Sequence, residues 1–266
     1  MKTIILIILA TASMAQAGLL EAVWARRGAR VVYPFPTNDI ISVWTMDGNA
    51  QDSVGTNDFS ASGTFASLTT GKNGIADTAY TFTGDYTSKC YLFNTKGTTG
   101  ISLNGASGAT LSFWLYPYNY RGYPEHFFTA RFNSDNASFI QIERRASGIM
   151  RFGGRSNIGD AFQFVTNTFS LASSNWVHLV GVYDYSGDTI KIYTNGVICN
   201  SASVSFSSTT FSHVAPLSRF DAWGGNDEGS TASDTFGYSG KIDQARLYKR
   251  ALSDNEIYAI YIGERP

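Results

Sequence analysis

Charge is scarce in this chain. Asp, Glu, Lys and Arg together make 15% of its 266 residues, against about 25% in an average domain. The net charge is -1 at pH 7, which argues against a nucleic-acid backbone as partner. Histidine is nearly absent. Its three copies, His126, His178 and His213, are scattered, and His178 sits in a strand-like run where a packed structural role is expected. There is no His-Glu-x-x-His, no Gly-x-Ser-x-Gly elbow and no phosphate-cradling glycine loop. Cysteine is limited to Cys90 and Cys199, so at most one disulfide can form. No internal repeat is visible.

Long apolar runs are also missing, except at the start. Lys2, the apolar stretch Ile4 to Ala10 and the small-x-small site Ala15-Gln16-Ala17 read as a signal peptide over residues 1–17. That apolar stretch is too short to span a bilayer. A secreted or extracellular-surface protein is expected. Export would permit a Cys90–Cys199 bridge, with two unpaired thiols as the alternative. Residues 18–37 hold Arg26, Arg27 and Arg30 and close on Pro34 and Pro36. They read as a linker or pro-segment, or as an arm for a membrane surface or partner.

What is plentiful is apolar and aromatic. Hydrophobic residues make 43% of the chain and aromatics 14%, with 15 Tyr and 18 Phe. From Asn38 onward the pattern is β. Ile40 to Met46 reads as a strand ended by Asp47-Gly48-Asn49, and Ala109 to Tyr116 alternates as a half-buried strand. Further short strands are expected near Ala79, Lys89, Phe127, Phe139, Ile149 and Phe162. Asn175 to Asp184 reads as the longest central strand, and Asn195-Gly196 as a hairpin turn. Gly240 to Tyr248 alternates again. A short helix then runs from Asp254 to Ile262, opened by a capping box of Ser253 and Glu256. Many short strands and one terminal helix predict an all-β sandwich or jelly roll over residues 38–266.

Five landmarks occur in a telling order. They are Trp44 to Asn49 with Asp52-Ser53 behind, Tyr80 to Tyr86, Thr110 to Pro117 around Ser112-Phe113-Trp114, Trp176 to Tyr193 with Asn195-Gly196, and Gly240 to Leu252. In series, over about 225 residues, they resemble the laminin-G-like, concanavalin A-like lectin/glucanase jelly rolls. The resemblance implies two antiparallel sheets face to face, used to bind sugars, proteins or sulfated chains. It also implies a structural Ca²⁺ tying the two chain ends, with Asp47 and Asp243 at the matching positions and Asp52 able to add an oxygen. The alternative is that Asp47 caps its own turn, while Asp243 pairs with Arg246 or Lys241. Glycosidases of this fold carry Glu-x-Asp-x-x-Glu on one strand. No such run exists here: Glu143 is followed by Arg144-Arg145, and Glu256 lies in the terminal helix.

Two segments stand out as ligand sites. Tyr116 to His126 packs four tyrosines into a segment punctuated by prolines, and Arg219 to Glu228 sets Trp223 among acids and amides. Sugars stack their C–H face on aromatic rings and take planar amide or carboxylate partners for their hydroxyls. Tyr120, Tyr123 and Trp223 are thus candidates for stacking, and Asn226 and Asp227 for the hydroxyls. The alternative is that these aromatics pack under their own loops. A secreted, non-catalytic module for carbohydrate or glycoprotein follows. The rival is a cell- or virion-surface structural or adhesion protein, and a polysaccharide lyase or hydrolase ranks third.

Overall fold

The computed structural model describes residues 35–62, 66–83, 91–94, 101–120, 122–132, 139–145, 148–157, 159–167, 171, 173–212, 219–223 and 237–266. The strands are β1 Ile40–Trp44, β2 Phe59–Ser62, β3 Ala66–Thr69, β4 Ala79–Thr83, β5 Tyr91–Asn94, β6 Gly108–Pro117, β7 Glu125–Phe132 and β8 Phe139–Arg144. They continue with β9 Met150–Arg155, β10 Gln163–Thr166, β11 Val177–Asp184, β12 Thr189–Thr194, β13 Val197–Ser203, β14 Arg219–Trp223 and β15 Ser239–Tyr248. One helix, α1, spans Asp254–Glu264. Every described pairing is antiparallel. An eight-stranded sheet runs β13-β12-β11-β6-β15-β4-β3, with β1 also on β15. A seven-stranded sheet runs β10-β9-β8-β7-β14-β5-β2.

The two sheets face each other across one apolar core. Alternation sends Ala109, Leu111, Phe113 and Leu115 of β6 inward, where they meet Ile140 and Ile142 of β8 and Met150 and Phe152 of β9 in a single cluster. A register shift in β7 between His126 and Phe128 turns two consecutive rings, Phe127 and Phe128, into that core. At Gly181 the layers touch: a Cβ there would lie 2.5 Å from Phe152 Cδ1.

The opening and closing strands meet side by side, Val43 opposite Arg246 and Trp44 opposite Ala245. β4 pairs with the first half of β15 and β1 with the second, so β1 and β4 share one edge end to end. The register of β15 against β6 slips between Asp243 and Arg246, and Gln244 there takes the left-handed φ of 43°. This seam joins the first and last described strands.

The helix begins as its capping box requires. Ser253 Oγ accepts from the Glu256 amide, and the Glu256 carboxylate accepts from the Ser253 amide. It extends two residues beyond the expected end, to Glu264. Ile257 and Ile260 pack on Val180, Val182, Tyr193 and Tyr248, the outward side chains of the eight-stranded sheet. Burying each isoleucine contributes roughly 1.5–3 kcal/mol. β6 and β11 are therefore covered on both faces, which explains why they read as nearly continuous apolar runs. His178, expected to be structural, is fully buried in this layer.

Three strands differ from the sequence reading. β2 and β3 are short and rich in Ser, Ala and Thr, with no apolar alternation to announce them. Arg219–Trp223, expected as a loop, is β14, hydrogen-bonded between β7 and β5. Its flanking Gly224-Gly225 signals a turn, and the tertiary gap between β7 and β5 makes the preceding five residues a strand. Cys199 is a free thiol on the edge strand β13, and Cys90 lies outside the described residues.

Candidate functional site

Several strand ends converge at one rim of the sandwich. β7 starts there at Glu125 and β8 ends there at Arg144, Glu125 opposite Arg144. β14 ends at Trp223, opposite Phe128 of β7 and Leu92 of β5. The Tyr118 amide donates to Ser239 O at 3.0 Å, anchoring the link from β6 across to β7. Within that link the Tyr120 hydroxyl donates to Arg145 O at 2.8 Å. The Arg144 guanidinium stands 4.5 Å from the Tyr120 ring centre, and its Nε donates to Glu125 Oε2 at 2.7 Å. Tyr120 thus ties the β6–β7 link to the turn after β8. Tyr123 is half-buried on the same link. The fold brings both tyrosines and the end of β14 to one rim. Asn226 and Asp227 lie outside the described residues.

Beside this rim, the outward face of the seven-stranded sheet carries polar residues that the sequence reading did not single out. Gln141 and Glu143 of β8 sit opposite Thr129 and His126 of β7, and opposite Gly153 and Arg151 of β9. Glu143 Oε2 lies 3.0 Å from His126 Nε2, and Gln141 Nε2 is 2.8 Å from both. Arg151 pairs with Glu143 Oε1, and Arg145 Nη1 approaches the same oxygen at 3.4 Å. Burial pushes the Glu143 carboxyl up, but the His126 hydrogen bond and the His126, Arg151 and Arg145 charges outweigh it and hold it below the ordinary range. The signal available in sequence was the Gln-x-Glu alternation of β8 facing Arg-x-Gly-x-Arg in β9, visible only once the two strands are paired.

The seam gathers the acidic residues unevenly. Asp243 is buried on the outward side of β15, and its Oδ2 accepts from the Lys72 amide at 3.0 Å. Its Oδ1 is buried with no hydrogen-bond partner. Burial raises its pKa to about 7, Asp47 adds to the rise, and the Lys72 amide and ammonium oppose it. Asp47 is likewise raised by burial, against a Thr45 hydrogen bond and the Lys72 charge. Two carboxylates therefore share one field, and one has a bare buried oxygen. Oxygen donors in this condition fit a hard cation. Among the described residues no group of three His, Cys, Asp or Glu gathers for a metal, so any further ligands would be carbonyls or water. Asp52 has a different task. Its Oδ1 accepts from the amides of Val43, Val54 and Gly55, and its Oδ2 from that of Asn57. With four amides on its oxygens, Asp52 shapes the turn after β1.

A two-sheet antiparallel jelly roll with its first and last described strands paired and one crowded rim defines a lectin-like sandwich. Residues 93–258 match the concanavalin A-like lectin/glucanases superfamily, and the chain belongs to that superfamily. Among solved structures it is similar to domain 4 of AbnA, a GH43 extracellular arabinanase from Geobacillus stearothermophilus, solved with arabinotriose. The TM-score is 0.59 at 17% identity, over 84% of this chain and 98% of that one. It is similar to the binding domain of botulinum neurotoxin serotype D, with TM-score 0.57 and 15% identity over 85% of this chain, and spans about half (51%) of that structure. A heptameric SAP-like pentraxin from Limulus polyphemus aligns with TM-score 0.51 and 16% identity, over 70% of this chain and 83% of that one. At such identities the likeness is one of fold. No curated protein matches the sequence.

Proposed function

We propose that this chain is an exported, non-catalytic binding module for carbohydrate or glycoconjugate, which grips its ligand at the rim formed by Tyr120, Tyr123 and the end of β14. The observation that supports the reading is the convergence of those strand ends, which leaves the β6–β7 link, with Tyr120 and Tyr123, at the same rim as the end of β14. Asn226 and Asp227 follow β14 in sequence and would supply an amide and a carboxylate for sugar hydroxyls. The arabinanase domain solved with arabinotriose lends support, as does the toxin binding domain, about half of which this chain spans. The absence from the sequence of the Glu-x-Asp-x-x-Glu run used by glycosidases of this fold favours binding over hydrolysis. At the seam, Asp47 and Asp243 would hold a calcium ion. That ion would neutralise buried Asp243 and half-buried Asp47 where the first and last strands meet, so its role is structural.

The test is retention of the full-length chain on a panel of immobilised neutral and acidic polysaccharides. Binding that falls about tenfold in Tyr123→Ala and Asp227→Ala, with unchanged thermal midpoints, supports the rim. Binding unaltered in both variants moves the site elsewhere, and release of soluble sugar would restore the enzymatic reading. One observation favours a second reading as a surface adhesion protein: edge strand β13 leaves Val197 60% and Ile198 43% exposed, an open edge for a protein partner. Absence of all glycan binding would promote it.

A further inference from the structure

The outward face of the seven-stranded sheet carries a cationic, aromatic strip that meets the rim only at Arg145. Phe162 and Phe164 stack with ring centres 5.8 Å apart. Phe162 lies over Gly153, where a Cβ would come within 2.2 Å of its ring, so the missing side chain makes room for the ring against the sheet. Phe164 is 46% exposed. The Arg151 guanidinium stands 4.6 Å and 5.3 Å from the two ring centres and pairs on its other side with Glu143. Arg145, its side chain 47% exposed, reaches the same carboxylate. An unbroken line of contacts therefore runs from exposed Phe164 through Arg151 and Glu143 to exposed Arg145.

The charge on this face is lopsided. Two guanidinium groups share the single carboxylate of Glu143. Arg155, two residues beyond Gly153 on β9, falls on the same side by alternation and is half-exposed. Arg151 and Arg145 thus share one acid, with Arg155 on the same side, in a chain whose net charge is -1. Arg151 and Arg155 lie about 13 Å apart along the strand, so they form an extended row. A guanidinium fork suits a planar carboxylate or a sulfate, and an exposed ring suits the C–H face of a sugar.

We infer that this strip is a second binding surface, for an anionic saccharide whose carboxylate or sulfate groups meet the arginines while a ring stacks on Phe164. The inference rests on the carbohydrate reading above and adds both a surface and a ligand class. The aromatic ledge supplies ring recognition, and the arginines select for charge. Because the arginines at both ends are accessible to solvent, the attraction is open to salt screening.

The experiment measures binding of the full-length chain by titration calorimetry to three polymers: polygalacturonate, its carboxyl-reduced neutral derivative, and dextran sulfate. The expected result is binding of at least one anionic polymer about tenfold or more tighter than the reduced one, weakening as salt rises. Phe164→Ala and Arg145→Gln should each weaken anionic binding about tenfold, with thermal midpoints confirming the fold. The comparison of polygalacturonate with dextran sulfate tells carboxylate from sulfate as the preferred group. Equal affinity for the reduced polymer, or anionic binding untouched in both variants, overturns the inference. If neutral glycans bind through Tyr123 and no anionic polymer binds, the strip is refuted and the rim stands. If nothing binds, both fall together.

Discussion

Removing the carboxylate of Glu264 should cost more than any other single change in the terminal helix. Glu264 is the last residue of α1 and is only 8% exposed. Its Oε2 accepts from Trp114 Nε1 at 2.8 Å, and its Oε1 pairs with Arg246 of β15. Its backbone carbonyl accepts from the buried Lys72 ammonium. The last turn of α1 holds no basic residue of its own, so Lys72 provides the cation that a helix C-terminus favours. In Glu264→Ala the Arg246 guanidinium, 6% exposed, loses its counter-charge, and the Trp114 indole N–H loses its acceptor. Breaking one side of a buried pair costs about 3–5 kcal/mol. For a domain of this size that lowers the thermal midpoint by about 10 °C. Glu264→Gln keeps an acceptor for Trp114 and should cost less than the alanine change. Glu264→Leu combined with Arg246→Met removes both charges and should recover most of the loss. Urea unfolding followed by Trp fluorescence, with the slope checked for constancy, measures these three variants and the two singles of the double. A loss under about 1 kcal/mol in Glu264→Ala would refute the latch. So would a double variant whose cost is the simple sum of its singles, since contacting groups must couple.

Other outcomes follow from the buried charges. In chelator, His178 and Asp243 should oppose each other between pH 6.5 and 5, a window of about 2 kcal/mol for each group. Burial, with the Arg246 and Lys72 charges, lowers His178 to about 3, so the unfolded chain takes its proton first and stability falls with pH. Asp243, raised to about 7, is protonated first in the folded chain, so stability rises as pH falls. His178→Gln should therefore gain stability on acidification and Asp243→Asn should lose it; identical pH profiles for the two variants would contradict this. Added calcium should raise the thermal midpoint of the wild type and leave that of Asp243→Asn unmoved. Asp52→Ala should destabilise by about 2–4 kcal/mol through its orphaned amides, equally with calcium and with chelator. Asp47→Ala lowering the midpoint equally under both conditions would remove the calcium proposal.

Much of the architecture was legible because two periodicities run through the chain. Ala109 to Tyr116 and Gly240 to Tyr248 alternate as strands do, and Ser253 with Glu256 announces the helix start through purely local hydrogen bonds. Such signals need only neighbours within a few residues. β14 was illegible for the opposite reason: Arg219–Trp223 is a strand because β7 and β5 leave a place between them, and nothing local says so. The seam acids show the same division. Asp47 and Asp243 stood out as residues, but Asp52 was grouped with them by nearness in sequence, and its own turn, closed by four amides, takes it elsewhere. The strip of Phe164, Arg151, Glu143 and Arg145 stayed hidden because it crosses three strands, and each strand contributes only one or two of its members.

Fold class, the covered central strands and the helix cap were therefore set by chain-local physics: alternation, turn chemistry and capping. Which side chains share a face was settled only by strand order and register. Antiparallel pairing brings residues far apart in the chain, such as Val43 and Arg246, to adjacent positions, and a shift of one residue would turn each to the opposite face.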